Sequence, residues 1–187
     1  MGTGVRIHPT LSRRKEPLEP GPGGEVRIYV CGPTVYGRVH LGNARPFVVF
    51  SVLKRYLDRR GGLRARLVSN ITDVNDKIYE TARAEGRPSV EVARDYARAY
   101  VEDTNRLGLG RPDAEPTVTE TMPQILELIG ELVRRELAYP AGGDVYYRVR
   151  RFPGYGKLSG RRLDEMMVTE PGDAHVDRTG GSRRRCR

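Results

Sequence analysis

The hydrophobic pattern changes its period twice between residues 26 and 69. Apolar and polar residues alternate over 26–30 and again over 63–69, which is typical of β-strands. Between these segments, over 43–59, apolar residues recur at the spacing of a helix, namely at Val49, Val52, Leu53, Tyr56 and Leu57. The order strand, helix, strand predicts a βαβ unit whose two strands run parallel in one sheet.

Two further helices are predicted after the second strand. Thr72 and Asp73 offer a cap for a helix that runs to about Glu85. Ser89 opens the next helix, whose predicted inner face consists of Val92, Ala93, Tyr96, Ala97, Tyr100 and Val101.

The pattern is weaker beyond residue 107. Residues 108–118 contain Gly and Pro and predict a connector. Thr121 and Gln124 then stand at the spacing of a capping box before another helical stripe. A strand is predicted over 145–149 and a loop over 154–160. Residues 171–187 show no periodicity and carry five arginines, which predicts a disordered basic tail.

Composition narrows the class of protein. The chain has 187 residues, 37% of them hydrophobic and 30% charged, with a net charge of +9. Such a balance suits an anionic partner such as a nucleotide or nucleic acid, but a soluble arginine-rich protein would show it as well. The two cysteines, Cys31 and Cys186, make a disulfide framework improbable and favour a reducing, cytoplasmic location. No stretch is long and apolar enough for a membrane span.

The junction between the first strand and the helix is the first place where chemistry could occur. Ligands of parallel sheets bind beyond the carboxyl ends of the strands, and a helix amino terminus there attracts phosphate. His40 and Asn43 stand one helical turn apart, and Gly42 would let a planar base approach the backbone. The same residues are also consistent with an ordinary capped helix start.

Cys31 and the segment 70–76 follow the two strands and should lie at the same edge of the sheet. Cys31 is consistent with a small core residue, a metal thiolate or a nucleophile, and a zinc site needs about four ligands. The polar residues of 70–76 could hydrogen-bond a small ligand, or Thr72 and Asp73 could only cap the next helix.

Together, three segments resemble the cysteinyl-tRNA synthetases, which are class I synthetases with a Rossmann-type catalytic domain. They are the sequence VCGPTVY at 30–36, HLGN at 40–43 and NITD at 70–73. Later segments agree, and the resemblance extends from about residue 5 to about residue 167.

The resemblance implies a role for each matching position. Cys31 would be the first ligand of a zinc ion that holds the substrate thiolate, and Gly32 and Thr72 would contact the cysteine. The signature formed by His40, Leu41, Gly42 and Asn43 would bind ATP with Mg²⁺, with His40 and Asn43 acting in catalysis. Asn43 occupies a position where the family usually has histidine.

The resemblance also implies a fold and a reaction. The fold would be an incomplete α/β, Rossmann-type parallel-sheet domain with a helical insertion. Its expected parts are an entry segment (1–25), the first half of the catalytic domain (26–138), the start of a connective insertion (139–170) and the tail (171–187). The expected reaction joins cysteine to tRNA(Cys) at the expense of ATP. We expect a monomer.

The family features absent from the chain lead to a further expectation. Family members complete the zinc site with a later cysteine, histidine and glutamate, and they carry a lysine signature loop. Neither feature is found within the 187 residues, so we expect a truncated chain that is inactive alone. The alternatives are a ligase of the same fold that joins cysteine to an amino sugar, and a non-catalytic nucleotide-binding remnant.

Overall fold

The computed structural model describes residues 4–60 and 62–166, so the predicted tail over 171–187 lies outside the described residues. The strands and α-helices of the described part follow in the order β1 (Arg6–Ile7), β2 (Glu16–Pro17), β3 (Glu25–Val30), α1 (Leu41–Asp58), β4 (Arg64–Ser69), α2 (Asp76–Glu85), α3 (Ser89–Arg106), α4 (Met122–Arg134), β5 (Ala138–Ala141), β6 (Asp144–Tyr147) and α5 (Leu163–Met166). None of the helices among these residues is long and apolar enough to cross a membrane.

The predicted βαβ unit is confirmed. Strand β3 pairs in parallel with β4, from Glu25 opposite Arg64 to Val30 opposite Ser69, and α1 connects the two strands. Along β3 the buried Val26 and Val30 alternate with exposed positions, as a strand with one covered face requires. The alternation in the sequence therefore marked both the element and its covered face.

Pairing continues beyond the carboxyl end of each strand. Thr34 forms a parallel bridge with Thr72, so the segment after β3 runs beside the segment after β4. On the other side of β4, the connector forms parallel bridges through Ala114 and Thr117. Strand β4 thus lies between β3 and the connector, which fixes the backbone at this edge of the sheet.

The stripe that predicts helix α1 marks its buried face only in part, since Leu57 is buried and Leu53 packs against the same core cluster. The residues that α1 buries include Ala44 and Leu57. Val49, Val52 and Tyr56, which belong to the predicted stripe, are 54%, 58% and 44% exposed. Helical spacing therefore identified the helix and only part of the face that it packs.

Helices α2 and α3 form the main core with the segments after the strands. Val92, Ala93 and Tyr100 of α3 are buried together with Ile78 and Ala82 of α2. The start of α3 at Ser89 is confirmed.

Helix α2 begins later than predicted, so the proposed cap at Thr72 and Asp73 is wrong. Its cap is Asn75, whose side chain accepts a hydrogen bond from Lys77 N. Thr72 instead pairs through its backbone with Pro33 and Val35. The Asp73 side chain is also engaged elsewhere, because it accepts a hydrogen bond from Thr119 N at 3.0 Å.

The predicted capping box at Thr121 and Gln124 is also wrong. The reciprocal pair is formed one turn earlier, where Glu120 N donates to Thr117 Oγ1 and Thr117 N donates to Glu120 Oε2, both at 3.1 Å. The Thr121 hydroxyl donates to the Thr117 carbonyl instead. The pair at capping-box spacing in the sequence is therefore not the pair that forms the reciprocal hydrogen bonds.

The chain divides into two compact units. The first comprises Pro17–Met122 with the described residues up to Val5, and the second comprises Arg6–Glu16 with the chain from Pro123 onward. In the second unit, β5 and β6 form an antiparallel hairpin closed by Gly142 and Gly143, both at positive φ. The strand predicted over 145–149 corresponds to β6, whereas β5 was not predicted. The predicted domain limits stay predictions.

In the first unit, a cluster of charged side chains forms hydrogen bonds with the backbone of β4 near its amino end. Lys54 Nζ lies 3.1 Å from Asp58 Oδ2 and 3.2 Å from Asp113 Oδ2, and it donates to the Ala65 carbonyl at 2.7 Å. Burial alone would lower the pKa of Lys54, but its hydrogen bonds to the two carboxylates outweigh burial and raise it. Asp58 and Asp113 also accept hydrogen bonds from the backbone of β4. We call these three side chains the amino-end cluster.

Candidate active site

The topology of the first unit brings the expected site residues to one edge of the sheet. Because β3 and β4 are parallel, Cys31 and Asn70 follow them at the same edge. Helix α1 must start at this edge too, because it returns across the sheet to the beginning of β4. His40 is the residue that caps it. This edge is also where ligands of parallel sheets bind.

Gly32 lies where no side chain fits. A Cβ built on Gly32 would lie 1.5 Å from the Asn70 carbonyl oxygen, a distance that no real contact reaches. The backbones after β3 and β4 therefore approach each other more closely than any other residue at position 32 would permit. This requirement explains the glycine without a ligand.

Asn70 is the hub of the site, although the sequence analysis assigns it no role of its own. Its Oδ1 accepts hydrogen bonds from Gly32 N and Tyr29 Oη, both at 3.0 Å, and its Nδ2 donates to Thr72 Oγ1 at 2.9 Å. One side chain thus holds Gly32 and Thr72, the two residues expected to contact the amino acid. In the sequence, Asn70 is a polar residue directly after a buried strand and the first residue of the NITD segment.

His40 and Asn43 cap the helix reciprocally. His40 Nδ1 accepts from Gly42 N at 3.1 Å, and Asn43 Oδ1 accepts from His40 N at 2.8 Å. In a neutral imidazole whose Nδ1 accepts, the proton lies on Nε2, which can then donate to a ligand. Since the imidazole is exposed, capping and ligand binding are compatible roles for His40.

The two middle residues of the signature have different environments. A Cβ on Gly42 would lie 3.0 Å from Cε1 of His40, so the missing side chain makes room for the imidazole. Leu41 is 90% exposed and makes no core contact that would explain it. The structure thus joins His40, Gly42 and Asn43 by contacts, and Gly32, Asn70 and Thr72 by others. The two groups are related only because the parallel pairing of β3 and β4 brings their segments to the same edge of the sheet.

Cys31 is exposed at the end of β3 and is not part of a disulfide. Within residues 4–60 and 62–166, no three His, Cys, Asp or Glu side chains cluster in a way that could hold a metal ion. A zinc ion needs about four such ligands. The donor set around Cys31 in the described part of the chain therefore does not fit a zinc ion, and we derive no chemical step through one.

Known proteins resemble the chain over most of its length. The family described as tRNA synthetases class I (C) catalytic domain matches residues 17–182. A cysteine–tRNA ligase of Anaeromyxobacter sp. strain K is 48% identical over 177 residues, covering 92% of this chain and 37% of that protein. One of Gloeobacter violaceus is 51% identical over 162 residues, covering 87% and 33%. The chain thus spans about a third of the length of these curated relatives.

The fold is also found in solved structures, as one example shows. A LeuRS of Agrobacterium radiobacter K84, determined in a ternary complex with tRNA and LeuAMS, superposes with a TM-score of 0.55 at 20% identity. The match covers 64% of this chain and 16% of that one. This likeness concerns the fold alone and agrees with a partial Rossmann-type domain. The family match over residues 17–182 shows that the chain belongs to the class I (C) tRNA synthetase catalytic domain family.

Proposed function

We propose that this chain provides the part of a cysteine–tRNA ligase that binds the amino acid and ATP. The observation that carries the proposal is the pairing of the segments after β3 and β4, which puts the cysteine-containing strand end beside Asn70 and Thr72. The cysteine–tRNA ligases that share about half of its residues favour this reaction over the joining of cysteine to an amino sugar.

The amino acid would bind along the paired backbones. Asn70 holds the Thr72 hydroxyl through Nδ2, so the remaining hydrogen-bonding capacity of that hydroxyl is oriented before a substrate arrives. Gly32 would contact the substrate through its backbone, and the exposed Cys31 thiol would lie near the substrate thiol. Cys31 as a zinc ligand stays a prediction, because the other donors it would need are not found in the described part of the chain.

ATP would bind where α1 begins. The helix amino terminus carries a partial positive charge, and the cap sets the imidazole so that Nε2–H can donate to a phosphate oxygen. In adenylate formation the amino acid carboxylate attacks the α-phosphorus, and pyrophosphate leaves. The residues of this site do no covalent work in that step, so they would act by positioning the reactants and stabilising charge.

A hybrid enzyme tests this function directly. Residues 17–166 of this chain would replace the matching segment of the Anaeromyxobacter cysteine–tRNA ligase, and cysteine-dependent exchange of pyrophosphate into ATP would be measured. We expect exchange within about tenfold of the parent enzyme, a difference of about 1.4 kcal/mol. A hybrid that folds and shows no exchange would contradict the proposal.

Cys31→Ser in the same hybrid tests the assignment of the thiol. If Cys31 ligates zinc, the variant should lose bound zinc and about a hundredfold in exchange, which is the upper range for the loss of a metal-site residue. Thr81→Ser, a change of similar size on α2 away from the edge, serves as the control and should alter neither quantity. Stoichiometric zinc with normal exchange in Cys31→Ser would remove Cys31 from the site.

A further inference from the structure

The side-chain amide of Asn70 has only one orientation that its partners permit. The oxygen and nitrogen of an amide are assigned from the groups that they meet. The Gly32 backbone N–H can only donate, so the Asn70 atom that lies 3.0 Å from it is the oxygen Oδ1. Nδ2 then faces Thr72, at 2.9 Å from Oγ1. A backbone N–H therefore sets the direction of the other hydrogen bonds of this side chain.

Asn70 gives two neighbouring hydroxyl groups opposite polarity. Oδ1 carries no proton, so the Tyr29 hydroxyl, 3.0 Å away, must donate its own proton and keeps only lone pairs for another partner. The Thr72 hydroxyl accepts from Nδ2 and keeps its proton. Within residues 4–60 and 62–166, neither hydroxyl makes another hydrogen bond. Tyr29 is therefore an unused acceptor, and Thr72 an unused donor.

The two hydroxyl groups are accessible and close together. Tyr29 is 67% exposed, and Thr72 is partly exposed. Tyr29 and Cys31 are two positions apart in an extended segment, so their side chains lie on the same face. Because both hydroxyls bond to one amide, their oxygens can be no farther apart than two hydrogen bonds and the width of that amide. A small zwitterion can bridge this separation, since an α-amino acid carries its ammonium and carboxylate groups on one carbon.

The charges beside Tyr29 do not oppose an ammonium group at its hydroxyl. Arg27 and Arg66 share its face of the sheet, on the side of the amino end. Arg27 is paired with Glu25, its Nε lying 2.8 Å from Oε2. Arg66 precedes Asn70 by four positions of β4, which is about 13 Å along an extended chain. Since the Tyr29 hydroxyl bonds to Asn70, it is directed away from both guanidinium groups.

We propose that Tyr29 is a substrate-binding residue, whose hydroxyl oxygen accepts a hydrogen bond from the ammonium group of the amino acid, while the Thr72 hydroxyl donates to its carboxylate. Asn70 is the positioning residue that sets both polarities. An ammonium group only donates and a carboxylate only accepts, so the two hydroxyls match the two ends of a zwitterion in one direction only. This inference rests on the proposed function, and it adds a reason why the site selects an α-amino acid.

Cysteamine and 3-mercaptopropionate are the probes that separate the two contacts. Both keep the thiol of cysteine, but cysteamine carries only the ammonium group and 3-mercaptopropionate only the carboxylate. Their inhibition constants are measured against cysteine in pyrophosphate exchange by the hybrid enzyme. A hybrid that folds and shows no exchange would overturn the proposed function and this inference with it. In a hybrid that does exchange, the two inhibition constants test the inference alone.

Tyr29→Phe removes the hydroxyl and keeps the ring. Inhibition by cysteamine should weaken about tenfold, the loss of a hydrogen bond to a charged group, and inhibition by 3-mercaptopropionate should stay within about twofold. The KM for cysteine should rise about tenfold with little change in kcat, because the ammonium group takes no part in the reacting bonds. Tyr96→Phe is the matched control, since it also removes an exposed phenol hydrogen bond, to Glu85 on α2, and it should change neither inhibition constant.

Asn70→Asp tests the positioning role without removing the side chain. A carboxylate still accepts from Gly32 N and the Tyr29 hydroxyl, but it cannot donate to Thr72, whose proton would turn toward it. Inhibition by 3-mercaptopropionate should therefore weaken about tenfold, whereas inhibition by cysteamine should be retained or become stronger. Unchanged inhibition by cysteamine in Tyr29→Phe, or equal weakening by both probes in Asn70→Asp, would overturn the inference.

Discussion

The two ends of the β3–β4 pair use their polar residues in opposite ways. At the amino end, Lys54, Asp58 and Asp113 bind one another and the backbone of β4. At the carboxyl end, the side chains of Asn70 and Asn43 bind backbone N–H groups. The exposed Cys31 thiol and His40 imidazole remain directed to solvent there.

Under the proposed function, this difference separates residues that stabilise the fold from residues that act on a substrate. The amino-end cluster satisfies its own charges and has little capacity left for a ligand. The carboxyl end uses amide side chains to fix the backbone, which leaves its ionisable and nucleophilic groups free for a substrate. Variants at the amino end should therefore change stability alone, whereas variants at the carboxyl end should change activity as well.

The largest expected effect is at Gly32. A methyl group there would meet the Asn70 carbonyl oxygen at 1.5 Å, so Gly32→Ala must push the two segments apart. We expect the free energy of unfolding to fall by about 3 kcal/mol, the upper part of the range for overpacking. Denaturant unfolding measures the change.

Gly37→Ala is the matched control for that variant. No atom lies within 4 Å of a Cβ at Gly37, so stability should change by less than about 0.5 kcal/mol. Equal losses in the two variants would show that the backbones after β3 and β4 are not closely packed.

An intermediate effect is expected at the amino end. Lys54→Met keeps the apolar stem but leaves Asp58 and Asp113 next to each other without a cation. The lysine side chain is 22% exposed, so solvent screening limits the loss to about 1 kcal/mol. In the hybrid, this variant should lose stability while pyrophosphate exchange at low temperature is unchanged, and a selective loss of exchange would contradict the division of roles.

The smallest effect is a dependence on pH. The hydrogen bond from Ala65 N lowers the pKa of Asp58 below its ordinary value of 3.8. The contribution of Asp58 is thus complete above that ordinary value and disappears as the pH falls through the lowered pKa. The stability difference between the chain and Asp58→Asn should shrink between about pH 5 and pH 2. A difference that stays constant would exclude Asp58 as a source of acid sensitivity.

Much of the fold follows from local patterns. Alternating apolar and polar residues predicted β3 and β4, and the length of the intervening helix predicted their parallel pairing. Helix caps and strand pairs that depend on tertiary contacts could not be predicted from local patterns. Asn75 caps α2 because Thr72 is already paired with the segment after β3. Similarly, β5 contains Pro140, a residue that is rare within strands, and its pairing with β6 is a tertiary contact that the local sequence does not show.

The candidate site shows the same limit. The residues Cys31, Gly32, His40, Asn43 and Thr72 were proposed from motifs, and topology brings their segments to one edge. Asn70 accepts a hydrogen bond from Gly32 N, which lies 38 positions earlier in the chain. No local sequence pattern predicts a contact between residues so far apart.

The central claim is that the carboxyl end of the sheet performs chemistry as well as capping a helix. His40→Asn in the hybrid separates these roles, because asparagine caps helices well but has no imidazole. We predict a free energy of unfolding within about 0.5 kcal/mol of the unsubstituted hybrid and pyrophosphate exchange reduced by about a hundredfold, as for a lost transition-state hydrogen bond. Exchange at the unsubstituted rate with the same stability would show that His40 only caps α1, and would contradict the account.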